Sequence, residues 1–253
     1  MKNKYFLFLI TALAVTAFSS CKKNIQTCKL GKYFLSDGSS TPNPATFTYY
    51  ESGQLKTIEY SNGSKDTLAY DANNITIFSY DKGGILIASF NGLLNGNGAV
   101  TSGTKNTYSF NGNITGTDNL SYEYNAEGRM TKQTTVNGSG TTFLSLVYNG
   151  GNTAKGGYYA GGFLTKKYFF YHNKAENKTK IDDLSLAYTP WLGNPSANLL
   201  DSLRIITPAT DDTIRIQYNH RLDDNAYLSG TVQTWLKPNT QTRYHTYQYF
   251  DCN

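Results

Sequence analysis

Three histidines (His172, His220, His245), three acidic pairs (Asp182-Asp183, Asp211-Asp212, Asp223-Asp224) and three cysteines (Cys21, Cys28, Cys252) are the side chains whose types could do chemistry. The histidines have no metal-ligand spacing, and neither HExxH nor CxxC occurs. They read as turn or strand-surface residues. A phosphate-binding GxxxxGK and a GxSxG nucleophile elbow are also missing. Two carboxylates flanking a sugar would be the arrangement of a glycosidase, but each acidic pair falls at the edge of a β-type run, where Asp serves tight turns. No catalytic residue, metal site or cofactor is assigned, and the expectation is a protein without enzymatic activity.

Aromatic excess carries more functional content: 21 Tyr, 13 Phe and 2 Trp. On strands, such side chains form cross-strand pairs. Rows of Tyr and Trp left exposed would suit sugar rings or apolar ligands, because each presents a flat apolar body and a polar tip. Trp191 and Trp235 are the candidate ligand contacts.

The elements that must position these residues repeat one pattern. In 120–136, LSYEYNAEGRMTKQTTV, a β-type run is followed by a polar turn ending in Gly128 and by a second β-type run. Versions of it recur from Thr46 onward, each run four to eight residues long and each gap holding the Asn, Asp or Gly of a tight turn. The glycine-rich stretch 92–107 reads as a loop or a pair of frayed short strands. Residues 188–200, YTPWLGNPSANLL, break the rhythm and read as a long connection packed by Trp191, with a short helical turn near 196–202 capped by Ser196. About fourteen strands result, far above the usual four to six of a sheet. The expected fold is therefore all-β, an antiparallel meander curled into a barrel or half-barrel.

The first twenty residues have the parts of an export signal: Lys2 and Lys4, an apolar run over 5–18, and Ser19-Ser20. The run is shorter than the roughly 20 residues of a membrane-spanning helix. Phe18-Ser19-Ser20-Cys21 resembles the lipobox of bacterial lipoproteins, which implies acylation at Cys21 and anchoring in a membrane. The reading is then a signal peptide over 1–20, a lipidated tether over 21–28 and one β domain over 29–253. Lys22 after the cysteine, rather than Asp, favours the outer membrane of the cell envelope. With Cys21 assigned to lipid, Cys28 and Cys252 remain near the two ends of the folded region, and an exported chain makes their pairing as a disulfide the expectation. Loss of Lys2 and Lys4 lowers the formal charge from +5 to +3. With no basic block in the chain, nucleic acid is a poor partner.

The unit YEYNAEGRMTK also resembles the tyrosine-rich YD and RHS-type repeats, best over 124–132. Over most of 29–253 the chain resembles small lipoproteins of Bacteroidota-type bacteria grouped as a domain of unknown function with a porin-like fold. That resemblance rests on successive Tyr-x-Tyr hairpins, Gly-Arg turns and the late insertion around 190–200. It implies a curved or barrel-like antiparallel sheet and brings no activity or site residues. Membrane-spanning barrels need strands of about 9 to 11 residues with a lipid-facing apolar band, and most runs here are shorter. The expectation is a water-standing domain held at the membrane by its lipid. Its leading function is a binding module for a glycan or an envelope protein, and the alternative is a carrier of a lipid or other apolar ligand in a concave sheet. A hydrolase is third.

Overall fold

A computed structural model describes residues 28–36, 43–184, 188–237 and 240–250. Residues 1–27, and with them the signal peptide, Cys21 and most of the tether, lie outside the described residues, as does Cys252. The chain divides into a unit comprising Leu30–Gln248 and a small one comprising Met1–Lys29 and Tyr249–Asn253. Nearly all of the folded sheet lies in the first.

Sixteen strands follow one another as an antiparallel meander, β1 (Lys29–Ser36), β2 (Asn43–Tyr49), β3 (Leu55–Tyr60), β4 (Lys65–Tyr70), β5 (Asn74–Tyr80), β6 (Leu86–Leu94), β7 (Val100–Tyr108), β8 (Ile114–Tyr124), β9 (Met130–Asn137), β10 (Gly140–Asn149), β11 (Asn152–Ala160), β12 (Phe163–Glu176), β13 (Asn198–Thr207), β14 (Asp212–Leu222), β15 (Leu228–Lys237) and β16 (Gln241–Phe250). β1 lies beside β16, so the sheet closes into a barrel. Closure removes both edges, whose unpaired N–H and C=O groups would otherwise invite pairing with another chain. The expected barrel is present, with sixteen strands among the described residues rather than about fourteen.

The repeated turn has one local cause. Asn125 Oδ1 accepts from the backbone N–H of Glu127 (3.1 Å) and of Arg129 (2.9 Å), and Gly128 closes the turn at φ 73°. Asp81, Asn95 and Asp223 build the same turn with their own side-chain oxygens. An Asx side chain thus does for the backbone what a ladder partner would do.

Two local expectations are corrected. The glycine-rich 92–107 stretch contains most of the β6–β7 hairpin, two nine-residue strands. Gly92 and Gly103 face each other in register. The Phe90 ring lies over them so closely that a Cβ on either would come within 2.6 Å of it. The ring supplies the packing the glycines lack, which is how an aromatic rescues glycine in a sheet. The helical turn is a 3-10 turn at Pro190–Leu192, upstream of the expected position, and residues 198–202 belong to β13. Ser196 is 3 % exposed and caps no helix; its hydroxyl donates to Asp183 instead.

Strand alternation sorts the wall. Along β14, Ile216 and Tyr218 are buried while Arg215, Gln217, Asn219 and Arg221 are exposed. Along β8, Leu120, Tyr122 and Tyr124 turn in while Thr117, Asn119, Ser121 and Glu123 turn out. Along β16, His245 and Tyr247 are buried while Tyr244, Thr246 and Gln248 are exposed. Several apolar residues that stand outside are interrupted along their strands, Leu93 by Asn91, Val147 by Ser145, and Tyr244 by Thr242 and Thr246, whereas Phe169 and Tyr171 follow one another on the outer face of β12. On β8, β14 and β16 the outer face is polar and the inner face aromatic or aliphatic, the reverse of the pattern along a membrane-spanning strand.

Strand length does not carry that distinction. β6, β7, β8 and β10 to β16 have nine to fourteen residues, enough to cross a bilayer if their faces were apolar. The expected short strands are confined to β1–β5 and β9, because local runs of Tyr and Thr in sequence understate how far the ladder extends through Ser, Asn and Gly.

A polar chain stitches the closing seam from inside. The Tyr33 hydroxyl donates to His245 Nδ1 (2.7 Å), His245 Nε2–H donates to Gln233 Oε1 (3.1 Å), and Gln233 Nε2 donates to the Tyr218 hydroxyl (3.4 Å). The order fixes the neutral imidazole with its proton on Nε2. Burial, aided by the charges of Arg243 and His220, lowers the His245 pKa to about 4. An unfolded histidine titrates near 6.5, so between about pH 6.5 and 4 the unfolded chain binds a proton that the folded chain does not. Stability therefore falls as pH drops through that window. Urea unfolding followed from pH 7 to 4 should show a steeper loss for the native sequence than for His245→Gln; parallel slopes would rule out His245 as the source.

Candidate functional site

All three histidines point inward, contrary to the surface reading. Each is part of the strand alternation that also turns Tyr168, Ile216 and Tyr247 inward. His220 donates Nε2–H to the Leu200 carbonyl (2.6 Å) and accepts the Thr231 hydroxyl at Nδ1 (2.9 Å), and burial lowers its pKa. Among the described residues no three His, Cys, Asp or Glu side chains converge on a metal position.

Strands β12 and β13 are joined by a connection whose described residues, 177–184 and 188–197, are buried in part and exposed in part. Asn177, Thr179, Ile181, Asp183 and Ser196 are all buried. Parity of an antiparallel meander puts the β8–β9, β10–β11, β12–β13 and β14–β15 connections at one rim of the barrel. The segment is tied to each of those neighbours in turn. Lys178 Nζ donates to the Asn225 carbonyl in the β14–β15 turn (3.0 Å), and the Leu228 N–H donates to Thr179 Oγ1 (3.2 Å). The Ala197 N–H donates to the Gly151 carbonyl in the β10–β11 turn (3.0 Å). Asn194 donates its backbone N–H to the Gly128 carbonyl (2.9 Å) and its Nδ2 to the Glu127 carbonyl (2.8 Å) in the β8–β9 turn. Gly193, at φ 85°, comes so near the same turn that a Cβ would stand 2.5 Å from the Gly128 oxygen. Residues 177–184 and 188–197 therefore form a plug at this rim.

Its polar centre is a knot of three residues. The Ser196 hydroxyl and His172 Nε2 (3.1 Å) both meet Asp183 Oδ2, and the Thr153 N–H donates to Ser196 Oγ (2.9 Å). Ser, His and Asp in contact invite comparison with a catalytic triad, but the order differs. A triad places imidazole on the serine hydroxyl, whereas here the carboxylate stands between them. The arrangement can hold a loop against β11 and β12. Asp211-Asp212 and Asp223-Asp224 serve turns as expected, and only Asp183 of the acidic pairs is buried.

The plug leaves two larger clefts inside the wall, beside a smaller one at Leu184. One, of about 250 Å³, is bounded by Leu144, Leu146, Tyr148, Phe170 and the plug residues Leu184 and Leu192, with Asp182 and Asp183 at its edge. The other, of about 240 Å³, lies between the plug and the β16–β1–β2–β3–β4 wall, lined by Tyr33, Phe47, Ile58, Tyr60, Tyr247 and Asp66, with Tyr188 and Trp191 from the plug. Phe47 and Tyr188 meet edge to face, their centroids 6.2 Å apart. Of the candidate ligand contacts, Trp191 lines this second cleft. Trp235 is elsewhere on the inner face of β15, under the Arg243 guanidinium at 4.8 Å from its ring centroid. Cys28 immediately precedes β1, and its expected partner Cys252 lies outside the described residues.

Solved structures of the same shape exist. A porin-like protein from Bacteroides uniformis superposes with a TM-score of 0.65 at 18 % identity, covering 87 % of this chain and 98 % of that one. A porin-like protein from Bacteroides vulgatus gives 0.59 at 12 % identity over the same shares. The fold is the porin-like barrel. At such identities the likeness is one of fold alone. No family model matches the sequence, and no curated protein matches it.

Sequence reading missed the plug knot. His172, Asp183 and Ser196 are 11 and 13 residues apart with no motif between them, and only the fold of the connection brings them together. Asp183→Ala should free the plug without unfolding the wall, since the carboxylate joins two donors from different elements and a buried donor without a partner costs about 1–3 kcal/mol. Hydrogen exchange should then quicken across 177–197 and stay unchanged in β2–β8; uniform quickening would mean that the knot supports the whole barrel.

Proposed function

We propose that this chain is a lipid-anchored envelope protein whose barrel stands in water and holds a small, largely apolar molecule in its interior beside the plug. The polarity of the wall is the observation that carries this reading. A concave surface lined by Leu, Ile, Phe and Tyr favours a carrier, and an outward row of Tyr and Trp would have favoured a glycan- or protein-binding face. Both tryptophans are on the inner side, and the outer face of β14 shows Arg, Gln and Asn instead. The carrier reading thus takes precedence over the outward-facing binding module. Aromatic-lined concavities with a few polar groups are the usual form of small-molecule sites.

Acylation at Cys21 and an outer-membrane location belong to the same reading, supported by the lipobox-like sequence and by Lys22. So does a Cys28–Cys252 bridge. β1 and β16 are adjacent and, by the parity of the meander, antiparallel, and the two cysteines flank the start of one and the end of the other. A hydrolytic reading draws less support. The two carboxylates at the plug cleft are consecutive residues, Asp183 uses Oδ2 for Ser196 and His172, and Asp182 Oδ1 accepts from the Leu184 N–H (2.9 Å).

Native mass spectrometry of the chain isolated from cell envelopes in mild detergent tests the carrier directly. A discrete mass excess that disappears on denaturation is expected; a bare mass would argue for outward-facing recognition instead. On the denatured chain, a mass two hydrogens lower than that after reduction is expected for the bridge, and an unchanged mass would exclude it.

A further inference from the structure

The cleft between the plug and the β16–β1–β2–β3–β4 wall has a chemical asymmetry that the carrier reading alone does not use. Its lining is aromatic or aliphatic except for Thr189 and one carboxylate, Asp66. Asp66 is the second residue of β4 and Tyr60 the last of β3, so both stand near the rim opposite the plug, while Tyr188 and Trp191 close the inner end. The Tyr60 hydroxyl donates to Asp66 Oδ2 (2.9 Å) and orients the carboxylate. Among the described residues, Oδ1 receives no donor and no Lys or Arg pairs with Asp66. The neighbouring Lys65 projects to the other face of the strand and meets Glu59 at 3.6 Å. Arg243 of β16 lies over Trp235.

We propose that this cleft selects a small organic cation, an ammonium group on a one-ring or short apolar body, with the ammonium at Asp66 and the body among Tyr33, Phe47, Tyr188 and Trp191. The proposal rests on the carrier reading and names its ligand class. An ammonium supplies the charge that the carboxylate lacks, and aromatic faces attract a cation that has been drawn out of water. A partly buried pair is screened less than a surface pair. Size sets the other limit: about 240 Å³ lies below the roughly 300–1,000 Å³ of sites for drug-sized ligands, so a long acyl chain does not fit.

The chain has two tryptophans, so Trp235→Phe leaves Trp191 as the sole indole and makes its emission a reporter of this cleft. Full-length protein in mild detergent is titrated at pH 7 with 2-phenylethylammonium and with its neutral counterpart 2-phenylethanol, followed by Trp191 emission and by calorimetry. The expected result is saturable binding of the cation with a Kd at least tenfold below that of the alcohol. Asp66→Asn should abolish the preference while the alcohol binds as before and the unfolding midpoint stays put. If the alcohol binds as tightly as the cation and moves Trp191 emission, the cationic class is overturned and the apolar carrier stands. If neither moves the emission while native mass spectrometry finds a cargo, the cleft assignment is overturned and the cargo lies elsewhere in the barrel. If neither binds and the native mass is bare, both readings fail.

Discussion

A flat run of sixteen antiparallel strands has two open edges, and everything else in this molecule depends on those edges satisfying each other. β1 beside β16 does so, with Tyr33 and His245 hydrogen-bonded across the seam and Tyr33 and Tyr247 packed ring to ring at 5.3 Å. Without that seam the inner face of the sheet would be open to water along its whole length. With it, alternate side chains of every strand share one enclosed space, and burial becomes a property of face rather than of position along the chain.

Enclosure also explains the chemistry of the interior. Polar side chains that the strand period turns inward must find partners there, because a buried donor or acceptor without one is expensive. His245, Gln233 and Tyr218 solve this as a chain, and His220 solves it between a hydroxyl and a carbonyl. Asp183 solves it with Ser196 and His172, and in doing so fixes the plug. The same rule that keeps these groups neutral or paired makes Asp66, with a single hydroxyl donor and no cation among the described residues, stand out in the aromatic cleft.

A barrel of this size leaves room inside, and residues 177–184 and 188–197 divide that room without filling it. The plug draws its order from the rim turns it touches rather than from its own sequence propensities. Its backbone groups at Asn194 and Ala197 donate to turn carbonyls, and its only regular element among the described residues is a three-residue turn at Pro190–Leu192. An inward-folded connection of this kind creates clefts whose walls are part strand and part plug, so neither partner forms them alone.

The all-β class, the meander and the turns were legible in the sequence, because each rests on interactions between residues close in the chain. Asn125 and Gly128 make their turn with neighbours two to four residues away, and alternation along Thr213 to Tyr218 follows from the two-residue period of a strand. The strands hidden in 92–107 were not legible, since the Phe90 ring that stabilises Gly92 and Gly103 acts across the ladder. Nor was the inward fate of His172, Asp183 and Ser196, or the grouping of Trp191 with Asp66, which are far apart in the chain. Local sequence determined that this chain is a succession of hairpins with one wet face; only closure of the barrel decided which face is enclosed, because that requires its first and last strands to meet.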